Sequence, residues 1–367
     1  MPKYQEPITL AHLQPKNRII RSATHSFLPD EQGYMTEAEY SMYEKLAECG
    51  VGTIISGHCC VRQGGRANPE QVNIWGDGFA DQFTRAADIC HAGGALFLPQ
   101  ISHAGPRAID TEDLADVSQR DLKKGRHARE LTPEEIKAIE GSFIAAAQRL
   151  QKAGVDGVQL HGAHSYLLSR FLDPTFNQRT DSYGNSEENR FRILEEIITG
   201  IRAACGGDFP IALKINIDSK YEDPELYARS LRFYLTRCQA LGLEFVELSG
   251  VDFINQPKDA TLYYLEQAAA LKKEFPRLPL ALVGGVRSLQ DIEKALAEGL
   301  DLVSLSRGLI ADPDLLIKLQ IGGEKSRCVS CSRCFVLPHL HPGIRCVWAW
   351  KEVKARQKQQ DRKGENS

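Results

Sequence analysis

Gly157-Val158-Gln159-Leu160-His161-Gly162-Ala163-His164-Ser165-Tyr166 begins as one kind of structure and ends as another. The first four residues form a short, mostly apolar run of the kind a buried strand uses. Two histidines, a tyrosine, Leu167-Leu168 and finally Asp173-Pro174 follow, and the proline breaks the segment. Imidazole can donate a hydrogen bond and a phenol can give up a proton. Just past the C-terminal end of a strand, His161, His164 and Tyr166 stand where they could hold and protonate a polar substrate. His-x-x-His alone is a weak signal, since the pair recurs by chance and usually marks histidines satisfied within a loop.

Outward from that stretch the same unit repeats. Apolar runs at 17–22, 51–56, 95–100, 157–160, 211–215, 244–248, 280–283 and 302–306 read as strands. Helical patterns follow them. Thr36-Glu37-Ala38-Glu39 reads as a capping box opening a helix to about residue 49. Thr132-Pro133-Glu134-Glu135 caps another, with proline in its first turn. Further helices are expected at 77–92, 187–204, 224–241, 262–275 and 288–298. Apolar strands alternating with helices imply a parallel sheet covered on its outside. Eight such units favour a closed (β/α)8 barrel of the α/β class over an open doubly wound sheet. No Gly-x-Gly-x-x-Gly follows any strand, so the dinucleotide fingerprint is absent. Residues 104–129 are polar and aperiodic, and read as a long loop over a binding site.

The 367 residues suffice for one large barrel with an extension. We divide them into a barrel at 1–322, a cysteine-rich extension at 323–350 and a charged, disordered tail at 351–367. A charged fraction of 25% and a formal net charge of −3 speak against a nucleic-acid or membrane surface. The N-terminus has no apolar signal region, and ten cysteines without one imply reduced thiols or ligands. A cytoplasmic protein is expected.

Cys328, Cys331, Cys334 and Cys346 are spaced C-x₂-C-x₂-C-x₁₁-C. Three thiolates two residues apart can wrap a 4Fe-4S cluster. Tetrahedral zinc more often uses two separated C-x₂-C pairs and ranks second; free thiols rank third. The other cysteines read as small core residues.

The sentence begun at His161 continues as Asn177-Gln178-Arg179-Thr180-Asp181-Ser182-Tyr183-Gly184-Asn185 and Glu188-Asn189-Arg190-Phe191. With His161, His164 and Tyr166 this resembles the Old Yellow Enzyme family of FMN-dependent NADH:flavin oxidoreductases over roughly 7–346, with Asn185 in place of a second glycine. The cysteine run resembles the family's iron–sulfur branch, as in dienoyl-CoA reductase and trimethylamine dehydrogenase. The resemblance implies that Ala23, Thr24 and His25 contact the flavin, that Gly57 lets the ring lie close to the backbone, and that Gln100 serves its pyrimidine edge. Lys214 then meets the anionic N1 of reduced flavin, where many relatives place arginine. Gly284, Gly285, Ser306 and Arg307 form the phosphate cradle, since glycines let backbone N–H groups approach and arginine grips bidentately. His161 and His164 would bind the substrate carbonyl and Tyr166 would be the acid. His58 and His103 lie near the mouth as minor candidates.

The implied activity is reduction of the C=C bond of an enone or enoyl compound with NAD(P)H. Two alternatives are an amine dehydrogenase-like enzyme and an FMN/iron–sulfur electron-transfer subunit. An electron relay needs no substrate clamp or acid, which favours the enzyme. An electron-donor protein and a homo-oligomer are left open as partners.

Overall fold

A strand that is apolar along its length must be covered on both faces. The eight apolar runs meet that need by closing on one another. The structure, a computed structural model, describes residues 2–220, 223–258, 260–336 and 343–351. Parallel strands β1 Ile19–Arg21, β2 Thr53–Cys60, β3 Leu96–Ser102, β4 Val158–Gly162, β5 Ile211–Asn216, β6 Val246–Ser249, β7 Leu280–Val283 and β8 Leu302–Leu305 form a closed barrel in chain order. Closure is direct: β8 pairs with β1 through Ile19↔Val303 and Ile20↔Ser304.

Helices α1 Glu37–Glu48, α2 Asp81–Ala92 and α3 Pro133–Lys152 follow the first three strands. After β4 come a short α4, Leu167–Leu172, and α5, Glu187–Cys205. Helices α6 Pro224–Ala240, α7 Leu265–Glu274 and α8 Leu289–Ala297 follow the next three strands, and α9 Arg307–Ala311 and α10 Leu315–Gln320 follow β8. Phe83, Phe143, Phe191 and Tyr234 pack between helices and sheet. Inside the barrel, Ile20, Ile55, Leu98, Phe245 and Leu302 form a separate apolar layer, against which Leu10 and Leu13 of the N-terminal segment pack. That layer fills the N-terminal end, so the polar side chains of the strands gather at the C-terminal end, where barrel enzymes place their chemistry.

Three local expectations need correction. The Thr36 capping box does not form: Thr36 Oγ1 donates to Leu28 O at 2.9 Å, and Glu39 is buried against Ser26 and Tyr43. Tertiary partners outcompete the local cap there, whereas the Thr132–Glu135 box forms as expected. β2 runs past residue 56 to Cys60, after a register irregularity between Ile55 and His58, and this carries His58 to the barrel mouth. The long loop holds a three-stranded sheet of Ala115–Asp116, Arg120–Asp121 and His127–Glu130. Strands that short carry no readable period. Buried Asp116 anchors the sheet by an ion pair with Arg170 of α4. The tail expected at 351–367 lies outside the described residues apart from Lys351. Among the described residues no helix is long and apolar enough to cross a membrane.

Candidate functional site

A cavity of about 370 Å³ opens at the C-terminal ends of the strands. Its lining includes Ala23, Thr24 and His25 after β1, Gln100 on β3, His161, His164 and Tyr166 from β4 and its loop, and Lys214 on β5. Gly284 and Gly285 after β7, and Ser306 and Arg307 after β8, complete the far side. Of the residues assigned to flavin or substrate from sequence, only Gly57 stands outside this lining. A Cβ at Gly57 would come within 3.2 Å of Thr24 O, so glycine there serves the packing of β2 against the end of β1.

The β4 loop sets the polar cluster by a strained turn. His164 and Ser165 have φ of 60° and 59°, a left-handed conformation that non-glycine residues seldom adopt twice in succession. The His164 backbone N–H donates to Asn216 Oδ1 at 3.1 Å, and its Nε2 lies 2.8 Å from Ser249 Oγ. The chain thereby turns back, and the Tyr166 ring centroid comes 4.7 Å from that of His161. His161 is 4% exposed, and its Nδ1 has no hydrogen-bond partner. Burial holds both imidazoles well below their usual range, with nearby positive groups adding to the effect, so both are neutral near pH 7. Burial raises the Tyr166 phenol, partly offset by Arg107, so it keeps its proton. The group can therefore donate N–H hydrogen bonds to a carbonyl and hold an acidic O–H nearby.

Beneath this cluster runs a buried polar chain that sequence reasoning missed. Gln100 Nε2 donates to Gln159 Oε1 at 2.7 Å, and Gln159 Nε2 donates to Glu247 Oε2 at 3.0 Å. Lys214 Nζ lies 3.4 Å from the same carboxylate oxygen and donates to Ser22 Oγ at 2.8 Å. Glu247 on β6 therefore supplies Lys214 with a countercharge inside the protein, beside the cavity that Lys214 lines. The signal was an acid inside the apolar run Phe245-Val246-Glu247-Leu248, which only an interior partner explains.

At the far side, Gly284 and Gly285 have φ of 143° and 74°. A Cβ on either would fall 2.9 Å from the Tyr264 ring or 2.7 Å from the Tyr263 ring, so the bare backbone is required. Arg307 donates to Ser332 Oγ at 3.0 Å and to Tyr263 Oη at 3.3 Å, and Tyr263 Oη lies 2.6 Å from Ser330 Oγ. The C-terminal segment also brings Cys328 and Phe335 to the lining. Together with buried His25 Nε2 and Ser304 Oγ, which lack partners, this donor set fits FMN: cations and amides at both ends, apolar walls between.

Cys328, Cys331, Cys334 and Cys346 are free and half-buried. Among the described residues no three His, Cys, Asp or Glu side chains form a metal-holding group.

The stretch from Asn177 to Arg190 is structural. Arg179 donates to Val117 O at 2.9 Å and to Leu131 O at 2.7 Å, and pairs with Asp181. Asn177 Nδ2 donates to Phe171 O and Tyr183 O, and Tyr183 Oη donates to Glu196 of α5 at 2.8 Å. These bonds clamp the β4 loop to the long β3 loop and to α5.

A family model described as NADH:flavin oxidoreductase / NADH oxidase matches residues 4–326. The chain is 32% identical over 337 residues to an NADH oxidase of Thermoanaerobacter brockii, taking in 88% of this chain and 52% of that protein. It is 30% identical over 311 residues to an NADPH dehydrogenase of Geobacillus sp. (strain WCH70), covering 84% of this chain and 90% of the relative. Among solved structures, a 2-naphthoyl-CoA reductase in complex with 2-naphthoyl-CoA superposes with a TM-score of 0.81 at 25% identity, covering 90% of this chain and 54% of that one. The chain therefore spans about half the length of the first and third of these.

Proposed function

The chain belongs to the NADH:flavin oxidoreductase / NADH oxidase family, and from that premise we propose that it is an FMN-dependent ene-reductase acting with NAD(P)H on α,β-unsaturated carbonyl compounds. The observation that carries this reading is the unpaired, buried Nδ1 of His161 in one cavity with His164 and Tyr166. An electron relay has no use for such a clamp.

Ala23, Thr24, His25, Gln100 and Lys214 would hold the flavin ring, and Gly284, Gly285, Ser306 and Arg307 its phosphate. Bound FMN supplies the hydride for the β-carbon. The chain's own residues do the rest. Neutral His161 and His164 donate to the carbonyl oxygen and stabilise the negative charge that grows there. Tyr166 delivers its proton to the α-carbon. The apolar walls, Phe253 and Phe335 among them, exclude water. The barrel unit of residues 1–322 provides these groups, and the extension after it closes one side.

A substituted phenol tests the clamp, because its oxyanion imitates the enolate. His161→Ala should weaken phenol binding to the flavin-loaded protein by about 1.5–3 kcal/mol, the usual worth of a charge-assisted hydrogen bond. An unchanged Kd by absorbance titration would remove His161 from the clamp.

The cysteine spacing alone supports a 4Fe-4S cluster, and no step above depends on it. Iron and sulfide should accompany anaerobically purified protein, and Cys331→Ser should release them. Zinc in their place, or no metal, would overturn the cluster.

A further inference from the structure

His58 is buried, lines the cavity and has no part in the chemistry above. Its proton can nevertheless be located, starting from a backbone amide. Ala67 N–H donates to Gln71 Oε1 at 2.6 Å. A backbone N–H only donates, so this contact fixes which end of the Gln71 amide is oxygen. The other end, Nε2, carries two hydrogens and lies 2.8 Å from His58 Nδ1. An –NH₂ group only donates, so Nδ1 is the bare, accepting nitrogen. Burial pushes His58 down to about 4, so the ring is neutral near pH 7 and its one proton sits on Nε2. That Nε2 lies 3.5 Å from Tyr166 Oη, with the ring centroids 5.1 Å apart. Gln71 is wholly buried, which keeps the amide from turning over.

We propose that Ala67, Gln71 and His58 form a line of donors that sets the acidity and orientation of Tyr166. The proposal rests on the reading of Tyr166 as the proton donor. With His58 Nε2–H aimed at its oxygen, the phenol must accept on that side, so its own O–H is directed elsewhere, toward the cavity. When the Tyr166 O–H bond breaks and the substrate gains its C–H bond, the oxygen becomes a phenolate. A phenolate accepts a hydrogen bond more strongly than a phenol, so His58 stabilises the state left after proton delivery. His58 keeps its own proton, because releasing it would leave an imidazolate facing the Gln71 N–H. A proton from solvent restores the phenol. His58 is therefore a positioning residue that acts through Tyr166.

Among the described residues, the other ionisable groups facing this pair are Arg107, 5.7 Å from the Tyr166 ring centroid, the rings of His25 and His161, 5.1 and 6.2 Å from His58, and His164, whose ring lies 5.5 Å from that of His161. Burial depresses His25, His161 and His164, so all three are neutral, and among the described residues Arg107 is the neighbouring cation that also favours the phenolate.

The experiment uses the flavin-loaded protein. Nitrogen NMR of ¹⁵N-histidine protein at pH 7 should show His58 protonated at Nε2 alone. Protonation at Nδ1, or at both nitrogens, overturns the proposal. Gln71→Glu keeps the shape but replaces the donor by an acceptor, so His58 should switch its proton to Nδ1 and present a bare Nε2 to Tyr166. The Tyr166 O–H would then bind His58 instead of the substrate. Both Gln71→Glu and His58→Leu should slow enone reduction about tenfold, and His58→Leu should move the pH profile of that step upward by about one unit. If Tyr166→Phe slows the step and neither of these variants does, the donor line is wrong and the acid stands. If Tyr166→Phe has no effect, the acid itself is wrong, and the tautomer measurement still reports on His58.

Discussion

The Tyr166→Phe protein is expected to reduce its enone roughly 10²- to 10⁴-fold more slowly, the range over which a positioned general acid contributes. The change removes one oxygen and leaves the ring beside His161 in place. Flavin reduction by NAD(P)H requires no proton from Tyr166, so that half-reaction should stay near its original rate. Stopped-flow absorbance separates the two, following bleaching with NAD(P)H and recovery of colour with the enone. The sign of the effect follows from the pKa shift. Burial raises the phenol, so it enters the reaction protonated, as an acid must. Recovery at an unchanged rate with every accepted enone would assign the proton to water or to another side chain.

The second large effect is on stability. Lys214 is 3% exposed and Glu247 is fully buried, and each is the other's countercharge. Lys214→Met leaves Glu247 inside the barrel with Gln159 as its remaining partner among the described residues. Breaking a buried pair on one side costs about 3–5 kcal/mol, whereas replacing both partners by apolar residues is often neutral. Lys214→Met alone should therefore lose about 3–5 kcal/mol in urea unfolding of the flavin-free protein. The double variant Lys214→Met/Glu247→Leu should recover most of it. A single variant as stable as its parent would mean that the Lys214–Glu247 contact does not stabilise the barrel interior.

What could be read from the sequence depended on the range of the interaction. Continuous apolar strands and 3.6-residue helical patterns are local, and all eight units appear where their composition places them. The Thr132 cap is local too and forms, while Thr36 looked the same on paper and instead bonds Leu28 O, a partner fixed by tertiary packing. The site splits in the same way. His161 near the end of β4 and His164 and Tyr166 in the loop after it are close in sequence and were legible as a group. Glu247 and Gln159 were not, because a carboxylate and an amide on different strands become partners only once the barrel closes. The longest recognisable stretch, Asn177 to Arg190, marked the family while acting as a clamp. Arg179 directs its donors to Val117 O, Leu131 O and the Asp181 carboxylate and does not line the cavity. At Gly57 the sequence could not show a second constraint: a Cβ there would come within 3.2 Å of the Thr24 carbonyl, a contact that exists only once β2 lies beside the end of β1.

Closure of β8 onto β1 also governs the order of events during synthesis. Ile19 finds its partner Val303 only after nearly all of the barrel has been made. At roughly 5–20 residues per second, the unpaired edge of β1 waits on the order of tens of seconds on the ribosome. Such an edge invites pairing with another chain, and parallel closure between distant segments is slow. The flavin ring and phosphate would contact residues drawn from both sides of that seam, Ala23 to His25 on one and Ser306 and Arg307 on the other. A flavin molecule present while the nascent chain emerges would therefore have no complete pocket to enter until the segment after β8 has been made.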